Sequence, residues 1–204
     1  MPLPCPFLLT VLRRLPRAAG QSAWIALVLA GALACTLPPA TAAQAEAPIA
    51  VRNALPQPRV AGQGEYRWFG LKLYDARLWM GEQGLQARSP LASPFALELV
   101  YARSLKGVRI AEASLQEIRK LGAGTPAQQE TWHRAMERIF PDVAEGTRIV
   151  GIHQPGRGAV FHRDGQEIGR VDDPEFSTAF FSIWLAERGS APALRSALLA
   201  NASP

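Results

Sequence analysis

Four side chains of this 204-residue sequence stand out as a set that could hold an oxyanion: Arg67, Tyr74, Tyr101 and Arg103. They fall in three stretches that read as neighbouring strands, so one sheet can bring them together. An arginine grips a carboxylate or phenolate through two parallel N–H donors, a tyrosine adds a neutral O–H, and apolar walls bury the rest of a ligand. The set suits a molecule with an anionic or phenolic head and a greasy body. Ordinary surface arginines and half-buried tyrosines would give the same pattern, and the residues alone leave both readings open.

Other reactive groups point to no particular reaction. His133 falls on the polar side of a helix, while His153 and His162 fall in neighbouring strands, where chance proximity accounts for them as well as a catalytic or metal pair does. Asp172, Asp173 and Glu175 form an acidic cluster at a helix start, and a helix N-terminus attracts negative charge for its own electrostatic reasons. GxGxxG, GxxxxGK[ST], HExxH and GxSxG are all missing, which argues against nucleotide enzymes, zincins and serine hydrolases. Cys5 and Cys35 are the only cysteines, so the chain beyond them has no disulfide, thiol nucleophile or thiolate metal site. No metal and no cofactor is expected.

The elements that must position these groups are legible from periodicity and punctuation. GQGEYRWF and LKLYDARLWM read as two strands around a turn or bulge at Gly70. FALELVYARSL, residues 95 to 105, is a third, with Phe95, Leu97, Leu99 and Tyr101 on one side and Ala96, Glu98 and Val100 on the other. A helix over about 108 to 121 aligns Ala111, Leu115 and Ile118 and closes at Gly122. A second starts at Thr125-Pro126, where Gln128 completes a capping box. TRIVGIHQ, GAVFHRDG and QEIGRVDD are three short strands joined by Gln154-Pro155-Gly156 and Asp164-Gly165.

DPEFSTAFFSIWLAERG then predicts a helix capped by Asp173, opened by Pro174 and ended by a left-handed Gly189. Phe176, Phe180, Ile183 and Trp184 share one stripe, with Phe181 and Leu185 beside it. That arc is wider than a helix covering a sheet needs, so the surplus must line a pocket or pack under a last short helix near 192 to 200. The order β-β-β-α-α-β-β-β-α-α with hairpin links predicts an α+β domain, an antiparallel sheet covered by helices, over residues 59 to 204.

Residues 46 to 58, rich in Ala and Pro, read as an extended linker. Residues 1 to 45 carry Arg13, Arg14 and Arg17, no acidic residue, an apolar run from Ala23 to Leu33 and two small-residue cleavage patterns, the features of a secretory signal peptide. The run is short for a membrane span. Cys35 gives only a poor fit to a lipoprotein processing site. Taking the three leader arginines from 22 basic residues leaves 19 against 17 acidic ones, a net charge of +2, which argues against a nucleic-acid partner.

GLKLYDARLW, LELVYARSLKG, the FPD of IFPDV, EGTRIVGIHQPGRGAVFH, DPEFSTAFFSIWL and PALRSALL, in this order and spacing, resemble the chalcone isomerase-like family, in particular its exported bacterial branch. The resemblance implies an open-faced β-sandwich with a cleft between sheet and helices. It covers enzymes that close chalcones into flavanones, with an Arg near the start of the sheet stabilising the phenolate, and non-catalytic fatty-acid binders in which Arg and Tyr hold the carboxylate. With Gly62 and Gly64 aligned, Tyr66 falls at that Arg position and Arg67 one place later, on the opposite face unless a bulge intervenes. Ile110 stands where the enzymes place a catalytic Tyr.

Residue pattern, leader and resemblance together lead us to expect a non-catalytic, exported periplasmic protein that binds a small fatty-acid-like or phenolic ligand at Arg67, Tyr74, Tyr101, Arg103, Phe181 and Ser182, of which Tyr101 and Phe181 come from the strand and helix patterns and Ser182 from the resemblance. An intramolecular lyase acting on chalcone-like unsaturated carbonyls and a partner-binding envelope protein are the alternatives. Membrane contact is expected only through the leader, and the oligomeric state is left open.

Overall fold

The structure, a computed structural model, describes residues 46–204; the leader expected over residues 1–45 lies outside the described residues. In chain order the elements are α1 (Ile49–Ala54), β1 (Arg59–Trp68), β2 (Leu71–Met80), β3 (Phe95–Tyr101), α2 (Gly107–Lys120), α3 (Pro126–Ile139), β4 (Arg148–Gln154), β5 (Gly158–Arg163), β6 (Gln166–Val171), α4 (Pro174–Leu185) and α5 (Pro192–Leu198). A 3-10 turn over Pro90–Ala92 precedes β3.

The strands form one open antiparallel sheet in sequence order, with β1 and β6 at its edges. Tight links enforce that order, because a two-residue turn can return a strand only to its neighbour's side. Phe69 and Gly70, at φ 46° and 78°, form such a turn between β1 and β2, and Asp164-Gly165 does the same between β5 and β6. The α2–α3 pair fills the longest connection, from β3 to β4, and the 3-10 turn lies in the link from β2 to β3. Thr125 and Gln128 make the reciprocal capping box that the sequence predicts, and Gly122 leaves α2 at φ 71°. The third strand ends at Tyr101 rather than continuing to residue 105.

Alternation divides β3 between two faces. Phe95, Leu97, Leu99 and Tyr101 join the large core under α2, α4 and α5, while Ala96 joins a smaller cluster on the other face. On that outer face Val51 and Leu55 of the N-terminal segment pack with Trp79, Val150 and Ile152. Residues 49 to 54 are therefore helical, correcting the extended linker: Pro48 sits ahead of the helix rather than inside it, and apolar Ala50 and Val51 have an apolar patch to bury.

The aromatic helix α4 is buried on most of its circumference because it lies between β4–β5, α2, α5 and the 3-10 turn. Phe176, Phe180 and Phe181 interlock with Phe95, Phe140 and Phe161 at ring separations of 5.1–6.3 Å. Asp173 caps it as expected, accepting from the N–H groups of Glu175 and Phe176, and also accepts the Trp132 indole N–H of α3 at 2.7 Å. Its other end departs from expectation. The helix stops at Leu185, with Ala186 already extended, and Gly189 does not take the left-handed turn. Arg195 of α5 donates to the freed Leu185 carbonyl at 2.7 Å, so the side chain of the following helix supplies the cap.

His153 and His162 are not a pair. Opposite Ala159 and Val150 respectively, they point to different faces of the sheet. His153 is buried, with Nε2 2.9 Å from the Leu91 carbonyl and Nδ1 2.7 Å from Ser177 Oγ. A carbonyl only accepts, so Nε2 carries the proton and Nδ1 accepts from Ser177, tying β4 to α4 and the 3-10 turn.

Candidate functional site

A cavity of about 720 Å³ lies between the helix-covered face of the sheet and the helices α2 and α4. Its floor is aromatic, formed by Phe161, Phe180 and Phe181 over Gly151. The glycine lets the rings sit close to the sheet: a Cβ would lie 3.1 Å from the Phe181 ring and 3.3 Å from Phe161, so a side chain there would press on both. Leu97, Leu99 and Ile149 line the sheet wall, and Trp68, Arg103, Arg109, Lys120 and Ser190 stand at an exposed rim.

Tyrosines cross the sheet wall in a row. Tyr66 of β1 is registered opposite Tyr74 of β2, which is opposite Tyr101 of β3. The first two rings stack at 5.2 Å and the second two meet edge to face at 5.8 Å. Trp184 of α4 donates its indole N–H to Tyr74 Oη at 3.0 Å, so Tyr74 keeps its own proton to give. The hydroxyls of Tyr66 and Tyr101 have no hydrogen-bond partner among the described residues.

Burial pushes the Tyr74 phenol well above its ordinary range, against the opposing pull of the Trp184 hydrogen bond, and burial raises Tyr101 likewise. Both are therefore neutral donors at any physiological pH. They can stabilise an oxyanion and cannot serve as bases.

The cations sit outward of this row. Arg103, two residues beyond Tyr101, meets no acidic side chain among the described residues. Arg109 is paired with Glu112 at 2.7 Å and Lys120 with Glu117 at 2.7 Å. Burial would raise the Glu117 carboxyl, but Lys120 and the Ser190 hydroxyl outweigh it and hold the group below its usual value. Among the described residues no cluster of metal-ligating side chains is present.

Of the six residues read from sequence, Tyr74, Tyr101, Arg103 and Phe181 line the cavity, and Arg67 and Ser182 do not. Arg67 is a correction. A bulge does exist near it, but the extra residue is Leu73 of β2, where Tyr66 faces Tyr74 and Arg67 faces Lys72. The bulge turns Leu71 and Leu73 toward the cavity and leaves β1 unshifted, so Arg67 stays on the outer face. There it donates to Glu65 at 2.6 Å and to the Gly70 carbonyl at 3.1 Å, clamping the hairpin. Ser182 donates to the Thr178 carbonyl of its own helix, and its neighbour Ile183 faces the cavity instead.

The residue missed is Tyr66. Its facing follows from the surroundings of the glycines before it. A Cβ on Gly62 would lie 2.1 Å from the Ala197 carbonyl oxygen of α5, and one on Gly64 would lie 2.8 Å from Leu194, so these two positions must face the helices. Tyr66 follows them on the same face.

The model of the chalcone isomerase-like family matches residues 59–200. No curated protein matches the chain. Among solved structures, a fatty-acid binding protein of Arabidopsis thaliana superposes with a TM-score of 0.53 at 12% identity, covering 71% of this chain and 88% of its own. At that identity the likeness speaks for the fold, the open antiparallel sheet under helices just described. With the family match spanning most of the described residues, the chain belongs to the chalcone isomerase-like family.

Proposed function

We propose that this protein is an exported, non-catalytic binder of a small amphipathic molecule, fatty-acid-like or phenolic. The head of the ligand lies between Arg103 and the tyrosine row, and its apolar body lies over Phe161, Phe180 and Phe181. One observation carries this reading: an apolar cavity of about 720 Å³ whose wall presents phenol hydroxyls that the protein itself does not use. Pockets that enclose drug-sized ligands run from about 300 to 1,000 Å³. The fatty-acid binding activity named for the Arabidopsis neighbour supports the same class of ligand.

The lyase alternative asks for a cation beside the phenolate at the start of the sheet, and the cavity there carries neutral Tyr66. In this reading the rim cation Arg103 recognises a charged head instead.

Calorimetric titration with palmitate and with hexadecanol, equal in chain length and different in charge, tests the reading. Palmitate is expected to bind about tenfold tighter, the order of one charge-assisted hydrogen bond, and Arg103→Gln should erase the difference. Absence of saturable binding by either compound would refute it. Protein-dependent loss of chalcone absorbance would favour the lyase. Recovery of the chain in the cytoplasmic rather than the periplasmic fraction would remove the export part.

A further inference from the structure

The β1–β2 hairpin ends in Trp68-Phe69-Gly70-Leu71, with Trp68 58%, Phe69 86% and Leu71 54% exposed, three of the five large exposed apolar side chains among the described residues. Phe69 is also in the left-handed region at φ 46°, a conformation that Asn or Gly adopts easily and a bulky residue does not. Its one aromatic neighbour is Trp68, edge to face at 4.8 Å, and with most of the ring in water the fold gains little from an aromatic there. The tip is nonetheless held in shape, because Arg67 clamps the Gly70 carbonyl to the strand.

Location gives the tip a meaning. Trp68 and Leu71 also line the cavity, so the exposed apolar surface runs without a break into the aromatic interior. A ligand leaving along that path never has to put its apolar body in water. From the structure we infer that this hairpin tip docks on an anionic lipid surface and is the door through which the cavity exchanges ligand; the exchange half of the proposal rests on the binding function above, and the docking half does not.

Two observations favour lipid over a protein partner. Three side chains on a convex turn cannot approach the roughly 1,200 Å² that a stable protein interface buries, whereas Trp and Phe beside cations are the composition of elements that sit in the headgroup region. The charge balance also has the right sign. Arg67, Lys72, Arg103, Arg109 and Lys120 stand at the tip and rim against Glu65, Asp75, Glu112 and Glu117. Arg109 and Lys120 keep 74% and 63% of their side chains exposed although paired. Docking at the tip would add a membrane contact to the one expected of the leader.

The test mixes the full chain with ligand-free vesicles of phosphatidylcholine containing about one-third phosphatidylglycerol, some of them carrying brominated acyl chains. Trp68→Tyr and Phe69→Asn are compared with the wild type, so any contribution of residues 1–45 is common to all. Bromine should quench a component of tryptophan emission that is present in the wild type and gone in Trp68→Tyr. Phe69→Asn, which relieves the turn and keeps the fold, should partition about tenfold more weakly. Neutral vesicles should bind two- to threefold more weakly than anionic ones. Equal quenching in wild type and Trp68→Tyr, or unchanged partition of Phe69→Asn, would overturn the proposal, as would binding of the tip to a protein but not to vesicles. No ligand is present in the assay, so docking can fail while palmitate binding holds, and the reverse.

Discussion

The two faces of the sheet treat their polar groups in opposite ways. On the outer face Glu98 is 2% exposed and fully engaged: Arg148 Nε lies 2.8 Å from one carboxylate oxygen, and Trp79 Nε1 and Arg77 lie 2.8 and 3.5 Å from the other. On the helix-covered face, one strand position away in alternation, the hydroxyls of Tyr66 and Tyr101 are left without protein partners beside an open space. A buried polar group with partners holds a fold together, whereas one without partners beside a cavity is available to a ligand. The contrast is what makes the cavity the candidate site, and mutations should separate the two faces cleanly.

Glu98→Ala should have the largest effect. It strands the Trp79 N–H and removes the shared partner of two arginines, at a cost of about 3 kcal/mol in urea unfolding, with palmitate affinity unchanged within about twofold. A loss under 1 kcal/mol would show that the outer face does not depend on this network.

His153 sharpens the contrast, because it lies on the helix-covered side yet has both ring nitrogens satisfied. Burial lowers its pKa, against the opposing pull of the Leu91 carbonyl. Above a pH of about 6.5 it is neutral in folded and unfolded chains alike and adds no pH dependence. Below that, the unfolded chain takes a proton that the folded chain resists, so stability falls as pH drops toward the folded pKa. His162 is shifted the same way, with burial outweighing Glu167, and adds to the trend. Unfolding free energies should therefore fall as the pH drops below about 6.5, and His153→Gln should make that slope shallower, leaving the part that His162 contributes. A slope unchanged in the variant would assign it elsewhere.

Tyr101→Phe should have the smallest effect on the fold and a selective one on the ligand. Stability should stay within about 0.5 kcal/mol because no protein hydrogen bond is lost, while palmitate affinity should drop about fivefold. The opposite result, lower stability with intact binding, would place Tyr101 among the groups that hold the fold together.

Much of this architecture was legible because the decisive signals are local. Gly70 and Asp164-Gly165 mark hairpins, Thr125 and Gln128 mark a cap, and the alternation of Phe95, Leu97, Leu99 and Tyr101 fixes a facing. What stayed hidden depends on groups far apart in sequence. Arg67 could be placed only once the bulge was located at Leu73 of the partner strand. The end of α4 depends on Arg195, and the role of Glu98 depends on Arg148. The helix at residues 49 to 54 forms because Trp79, Val150 and Ile152 offer it a surface, which no short window of sequence contains.

The central claim is that the space over Gly151 is open in solution and belongs to a ligand. Leu99→Trp, which fills that space from the sheet wall, tests it directly through one unfolding curve and one palmitate titration. An open cavity predicts a stability change within about 1 kcal/mol, since added volume meets no neighbour, together with loss of binding. If the variant instead loses 2–3 kcal/mol or more, the overpacking response of an already filled core, or still binds palmitate at wild-type strength, the account is contradicted.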